Sequence, residues 1–200
     1  MNSLDFPPMS GPMTFKVCLI DNGQVGKTSF MKRQILDDFR DTYIPTIGVE
    51  VRPITFQTSR GPITFNVWDC AGQELYGGLR DGYYIYSHAA ICMFDVSNLS
   101  SYLAIPNHVA NYQRVNSHTP MVICGNKCDM KNHVRAPESS TVMGINYYAT
   151  SAQSNYNCEE PFLFLARQLT GDPTLHFTHN LDVDLDVDLV EGVASTVGSA

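Results

Sequence analysis

The residues best equipped for chemistry lie in one run, Asp21-Asn22-Gly23-Gln24-Val25-Gly26-Lys27-Thr28-Ser29. An apolar stretch, Phe15 to Ile20, precedes it, and a helix-like stretch, Thr28 to Leu36, follows. Strand, glycine-bearing loop, Gly-Lys-Thr and helix form the layout of a phosphate-binding loop. Inward-turned N–H groups from Asn22 to Ser29, the positive end of the helix and the Lys27 ammonium would together hold a polyphosphate. The Thr28 hydroxyl is placed to bind Mg²⁺. The spacing G-x-x-x-x-G-K-[ST] asks for glycine at position 21, where this chain has Asp21. A carboxylate ~5 Å from a phosphate, at an effective dielectric of ~20, costs about 3 kcal/mol, roughly a hundredfold in affinity. Turned away, or paired with a lysine, it would cost far less.

Four further stretches add matching chemistry. In Tyr43-Ile44-Pro45-Thr46-Ile47-Gly48, Tyr43 and Thr46 sit in a polar loop, and a threonine there can place its hydroxyl on Mg²⁺ and its N–H on a γ-phosphate oxygen. In Trp68-Asp69-Cys70-Ala71-Gly72-Gln73-Glu74, Asp69 can hold a metal-bound water, the Gly72 N–H can approach a terminal phosphate, and Gln73 can orient an attacking water. Gln73, Lys27 and Thr46 are thus the candidate catalytic residues. In Asn126-Lys127-Cys128-Asp129, the Asp129 carboxylate can accept from the N1–H and 2-amino group of guanine. Adenine lacks that pair of donors, so the stretch selects GTP and GDP over adenine nucleotides. Asn126 can tether neighbouring loops and the Lys127 stem can cover the base. The Ser151, Ala152 and Gln153 N–H groups can meet the guanine O6, and Phe39 can pack against the base edge.

The positioning elements follow from hydrophobic pattern. Phe15–Ile20, Ala89–Val96 and Met121–Gly125 read as buried strands, and Ile145–Ala149 as a short one. Val49–Gln57 and Ile63–Trp68 flank a turn with Gly61-Pro62 and read as a hairpin. Helical stretches are Thr28–Leu36, Leu79–Ser87, Tyr102–Asn116 with Pro106 near its start or kinking it, and Glu159–Leu169. Alternating strands and helices predict an α/β fold. Its sheet should have about six strands, mostly parallel with one antiparallel edge, and helices on both faces. Ligands in such folds bind beyond the carboxyl ends of the strands, so the loops after Ile20, Trp68, Gly125 and Ala149 should converge.

The chain has 200 residues and a net charge of −7, which favours one domain and disfavours nucleic acid or an anionic membrane as a direct partner. The six cysteines have no zinc-knuckle spacing and read as reduced, mostly buried thiols. Residues 1–13 read as a disordered leader, 14–177 as the domain and 178–200 as an acidic tail. In the tail, Leu181-Asp182-Val183-Asp184-Leu185-Asp186-Val187-Asp188-Leu189 has a period of two. It reads as a mobile acidic segment or as an edge strand that needs a partner.

Five motifs in this order, each after the right element, resemble the Ras-like small GTPases. Within them the resemblance is to the Ran family of nuclear-transport GTPases. It is carried by Gly48-Val49-Glu50-Val51, Arg60-Gly61-Pro62-Ile63, Phe65-Asn66-Val67-Trp68-Asp69, Gly77-Gly78-Leu79-Arg80-Asp81-Gly82-Tyr83-Tyr84-Ile85, Cys124-Gly125-Asn126-Lys127 and Ser154-Asn155-Tyr156-Asn157. Glu160-Pro161-Phe162-Leu163 and Gly171-Asp172-Pro173 extend it. The resemblance implies a Ras-like P-loop fold and a monomeric switch that hydrolyses GTP slowly, with Mg²⁺ as cofactor. It also implies partners of the importin and exportin type, together with activating and exchange factors for Ran. The expected localisation is shuttling between nucleus and cytoplasm. No cysteine follows Cys158 and residue 2 is Asn2, so no prenyl or myristoyl anchor is expected.

The chain departs from that family at Asp21, at Gln24 (usually a small residue), and at Gln153 (usually lysine). Leu75 and Tyr76 replace a lysine and a phenylalanine, and the family's basic clusters read here as Leu103-Ala104 and Thr141-Val142-Met143-Gly144-Ile145-Asn146. These departures support a second expectation: a diverged relative that binds a subset of partners and holds nucleotide weakly.

Overall fold

The computed structural model describes residues 13–21, 23–36, 48–70, 77–133 and 140–178. The expected leader, save its last residue, and the acidic tail from residue 179 lie outside these. Met13, assigned above to the leader, is the first residue of a strand.

Elements run β1 (Met13–Ile20), α1 (Lys27–Leu36), β2 (Val49–Phe56), β3 (Ile63–Cys70), α2 (Gly77–Tyr84), β4 (Ala89–Asp95), α3 (Leu99–Leu103), α4 (Ile105–Val115), β5 (Met121–Asn126), β6 (Thr141–Val142), β7 (Ile145–Ala149) and α5 (Glu160–Thr170). Among the described residues they build a seven-stranded sheet in the order β2-β3-β1-β4-β5-β7-β6. The pairs β1/β3, β1/β4, β4/β5 and β5/β7 are parallel, and β2 is antiparallel to β3. The expected count was one strand short. The two-residue β6 pairs antiparallel to β7, giving the sheet a second antiparallel edge. Its pattern was illegible because two residues carry no periodicity.

β4 and β5 are buried along their whole length, as unbroken apolar runs in a parallel sheet should be. Along β1 the side chains alternate. Val17 and Leu19 join one core with Phe30, Phe162 and Leu165 of α1 and α5, while Cys18 and Ile20 join a second with Tyr84, Val109 and Tyr112 of α2 and α4. This two-sided burial fixes the register of β1, and therefore where its loop begins. The stretch expected as one helix, Tyr102–Asn116, is two. Pro106 lies in the first turn of α4, where its missing N–H costs nothing, and α3 ends before it. The Asn98 carboxamide oxygen caps α3, accepting from the N–H groups of Ser100 and Ser101. All six cysteines are free thiols, and five are buried.

Candidate guanine-nucleotide site

β1, β3, β4, β5 and β7 all deliver their carboxyl ends to one side of the sheet, and the sequence-predicted residues collect there. The parallel register sets Leu19 of β1 beside Asp69 of β3, so the loop from Asp21 and the end of β3 are neighbours. Gly23 and Gly26 have φ of 97° and 93°, and Gln24, which carries a side chain, has φ of 63°. That conformation costs a residue with a Cβ roughly 1–2 kcal/mol.

Within the loop, Asp21 does not point away. Its Oδ1 accepts from the Gly23 N–H at 2.9 Å and from the Lys27 ammonium. The Asp21 side chain is 1% exposed and that of Lys27 6%. Asp21 Oδ2 is buried with no hydrogen-bond partner among the described residues. Burial pushes the Lys27 ammonium down to about 8, the Asp69 carboxylate working against this. The cation expected from the sequence to meet a phosphate is thus held by a carboxylate of its own loop.

On the metal side, the Thr28 hydroxyl donates to Asp69 Oδ2, and Asp69 is fully buried. A hydroxyl and a carboxylate brought together at a phosphate loop are the hard oxygen donors that Mg²⁺ takes, directly or through water. These two residues fit the ion; Asp21, against Lys27, does not fit a phosphate without moving. Ser29 lies in the first turn of α1. Asn22, Phe39, Tyr43, Thr46, Gly72 and Gln73 fall outside the described residues.

On the base side, Asn126 ends β5 and is 1% exposed. Its Nδ2 donates to the Val25 carbonyl at 2.9 Å, and its Oδ1 accepts from the Ala152 N–H at 3.1 Å. One side chain therefore joins the phosphate loop to the loop after β7. Backbone hydrogen bonds also join the ends of β5 and β7, from Thr150 N–H to the Gly125 carbonyl at 2.8 Å and from Cys128 N–H to the Thr150 carbonyl at 3.1 Å. The Ser151 hydroxyl donates to Asp129 Oδ1, orienting an exposed carboxylate whose other oxygen remains for a base. Gln153 is exposed, and its carbonyl accepts from Arg33 at 2.9 Å.

Lys127, with φ of 64°, reaches back across the loop. Its ammonium donates to the Gln24 carbonyl at 3.1 Å and to Asp95 Oδ2 at 2.7 Å. Asp95 was missed by reading the sequence. Burial raises its carboxyl pKa, but hydrogen bonds from Lys127 and Ser97 outweigh this and hold it low. Its signal was available: an acid closing an apolar strand on the edge where the other site residues lie.

The arrangement therefore brings together Lys27, Thr28 and Asp69 on one side and Asn126, Lys127, Asp129, Ser151 and Ala152 on the other. The sequence model of the Ras family matches residues 16–171, a span that contains every one of these residues. The chain belongs to the Ras family and is a small GTP-binding switch protein.

Proposed function

We propose that this Ras-family protein is a Ran-type switch, alternating between GTP and GDP in protein import into and export from the nucleus. The observation that carries the nucleotide part is Asn126, whose one carboxamide ties the phosphate loop at Val25 to the base loop at Ala152. A ligand with a polyphosphate at one end and guanine at the other would span those two loops. The Ran-type part rests on the sequence runs that carry the resemblance, above all Gly77–Ile85. Within that run both oxygens of the Asp81 carboxylate accept from Arg114 of α4 at 2.7 Å, fastening α2 to the domain.

In this reading Lys27 and the loop N–H groups bind the β- and γ-phosphates, and Asp129 with Ser151 selects guanine. Thr28, Thr46 and, through water, Asp69 would hold Mg²⁺, which would supply charge neutralisation for the phosphates. Gln73 orients the attacking water, and Thr46 with Gly72 senses the γ-phosphate. Receptors of the importin and exportin type bind the GTP form, and activating and exchange factors for Ran drive the cycle. The protein is monomeric and shuttles between nucleus and cytoplasm.

A second reading is favoured by one contact, the Asp21–Lys27 ion pair. It is a diverged Ran relative that binds partners while holding nucleotide weakly. Multiple-turnover GTP hydrolysis, measured with and without a Ran-activating protein, separates the two. Stimulated phosphate release supports the first; its absence, with partner binding intact, supports the second.

A further inference from the structure

Lys127 bridges the two halves of the site. Its ammonium lies between Asp95 Oδ2 at 2.7 Å and the Gln24 carbonyl of the phosphate loop at 3.1 Å. Its stem crosses the loop too, with Cε 4.0 Å from where a Cβ on Gly26 would stand. A lysine on its long flexible stem does not keep one geometry unaided, because fixing it forfeits rotamer freedom. Of its two anchors, only the carboxylate carries a charge, and a charge-assisted bond is the stronger. The Asp95 side chain is also the more buried partner, 10% exposed against 35% for Lys127.

Asp95 is itself held from several sides. Oδ1 accepts from the Ser97 N–H at 2.8 Å and the Ser97 hydroxyl at 2.6 Å, which leaves Oδ2 to Lys127. Its own N–H donates to Ser101 Oγ at 3.0 Å. The β4/β5 register sets Asp95 beside Asn126, and the Val96 N–H donates to the Asn126 carbonyl at 3.0 Å. The residue that anchors the ammonium is therefore locked to the residue preceding Lys127. Lys127 and Gln24 have φ of 64° and 63°. Side-chain-bearing residues persist in that region only where their surroundings over-determine them. Here one hydrogen bond joins the two, and Asp95 aims it.

We propose that Asp95 is a positioning residue for nucleotide retention, clamping the Lys127 ammonium against the phosphate loop so that one lysine braces both that loop and the base side. Asp95 touches no nucleotide; it acts through Lys127, and its role rests on the guanine-nucleotide reading above. Without the carboxylate the ammonium turns to solvent and the Gln24 carbonyl loses its donor. Encounter does not need the clamp, so the loss falls on dissociation rather than association.

The test is the release of N-methylanthraniloyl-GDP from the full chain in Mg²⁺, chased with excess unlabelled GDP. Asp95→Asn and Ser97→Ala are each measured alone and in a Lys127→Met background. With its carbonyl oxygen on Ser97, the asparagine turns an N–H toward Lys127, donor against donor. Ser97 is partly exposed, so Ser97→Ala spares the core while removing one of the bonds that fix the carboxylate. Asp95→Asn should speed release at least ~10-fold and Ser97→Ala ~3-fold, with association nearly unchanged. In Lys127→Met neither should add anything. Equal acceleration in both backgrounds overturns the proposal and assigns the effect to the end of β4. Unchanged release from a chain that binds the probe overturns it as well. Should Asp95→Asn fail to fold, Ser97→Ala decides by the same comparison. If the unmodified chain does not bind the probe, the guanine-nucleotide reading itself fails and the clamp falls with it.

Discussion

The Asp21 carboxylate is bound by the Lys27 ammonium, the first residue of α1, inside the loop that both belong to. The pair is nearly sealed from solvent, so it is a competitor for phosphate rather than a bystander. A nucleotide must either displace the carboxylate from Lys27 or bind beside it. At ~5 Å and an effective dielectric of ~20, the unfavourable term is about 3 kcal/mol per unit charge. Asp21→Gly should therefore tighten Mg²⁺-dependent binding of a fluorescent guanine nucleotide by up to about a hundredfold. Without nucleotide the same variant should be less stable to urea, since it leaves Lys27 buried without its partner. An unchanged dissociation constant would show that the carboxylate moves aside at no cost.

Lys27 also sets a pH signature. Burial holds its folded-state pKa at about 8, below the ordinary lysine value of 10.5. Between those values the unfolded chain binds more protons, so the Lys27 contribution to stability is level below pH 8 and rises as pH climbs toward 10.5. Buried thiols act in the other direction: burial pushes Cys92 and Cys158 up to about 12, so above pH 9 unfolding lets them ionise. The difference between the unmodified protein and Lys27→Met isolates the lysine. In urea melts without nucleotide, that difference should shift in favour of the unmodified protein between pH 8 and 9. Phosphate affinity should fall over the same interval, because a neutral amine no longer attracts the anion.

The strands that deliver the site were legible in sequence because their apolar runs are unbroken, and β4 and β5 are buried throughout. The placement of Asn126, Lys127 and Asp129 at the end of β5 was legible because they follow directly on its unbroken apolar run. The Asp21–Lys27 pair was not: the spacing put both residues in the loop, but which way a carboxylate turns depends on three-dimensional neighbours. Asp95 carried a signal, an acid closing an apolar strand, but its pairing with Lys127 did not, since the two are 32 residues apart in sequence and meet only when β4 and β5 pair. β6 and the break between α3 and α4 were lost to short length and to a proline with two readings.

Gly26 and Asn126 define a packing limit between the two halves of the site. A Cβ on Gly26 would lie 2.6 Å from Asn126 Nδ2, and its φ of 93° is itself unfavourable for any other residue. Gly26→Ala must push the carboxamide off the Val25 carbonyl. Asn126→Ala loses the same bond, together with that from the Ala152 N–H. Removing buried hydrogen-bond partners costs about 1–3 kcal/mol per group left unsatisfied. Both variants should lose guanine-nucleotide binding by at least ~10-fold in equilibrium titration, and Asn126→Ala should also lower the thermal midpoint. Should Gly26→Ala bind normally, the loop has more room than this contact allows.

Gly125 tests whether the base loop depends on the sheet beneath it. A Cβ there would lie 2.5 Å from the Tyr147 hydroxyl, 2.9 Å from Phe94 Cζ and 2.9 Å from Val96 Cγ1. Three side chains crowd the position, from β4, its following residue and β7, and each must shift to admit a methyl group. Overpacking of this kind costs about 1–3 kcal/mol. Gly125→Ala should therefore lower stability in urea by that amount. Tyr147→Phe removes the nearest atom, a buried hydroxyl with no partner among the described residues, and should alone be neutral or stabilising. Combining the two should recover part of the loss, a coupling that a double-mutant cycle reads directly. Strict additivity would mean that the strain is carried by Phe94 and Val96 instead, and then Val96→Ala, not Tyr147→Phe, should rescue Gly125→Ala.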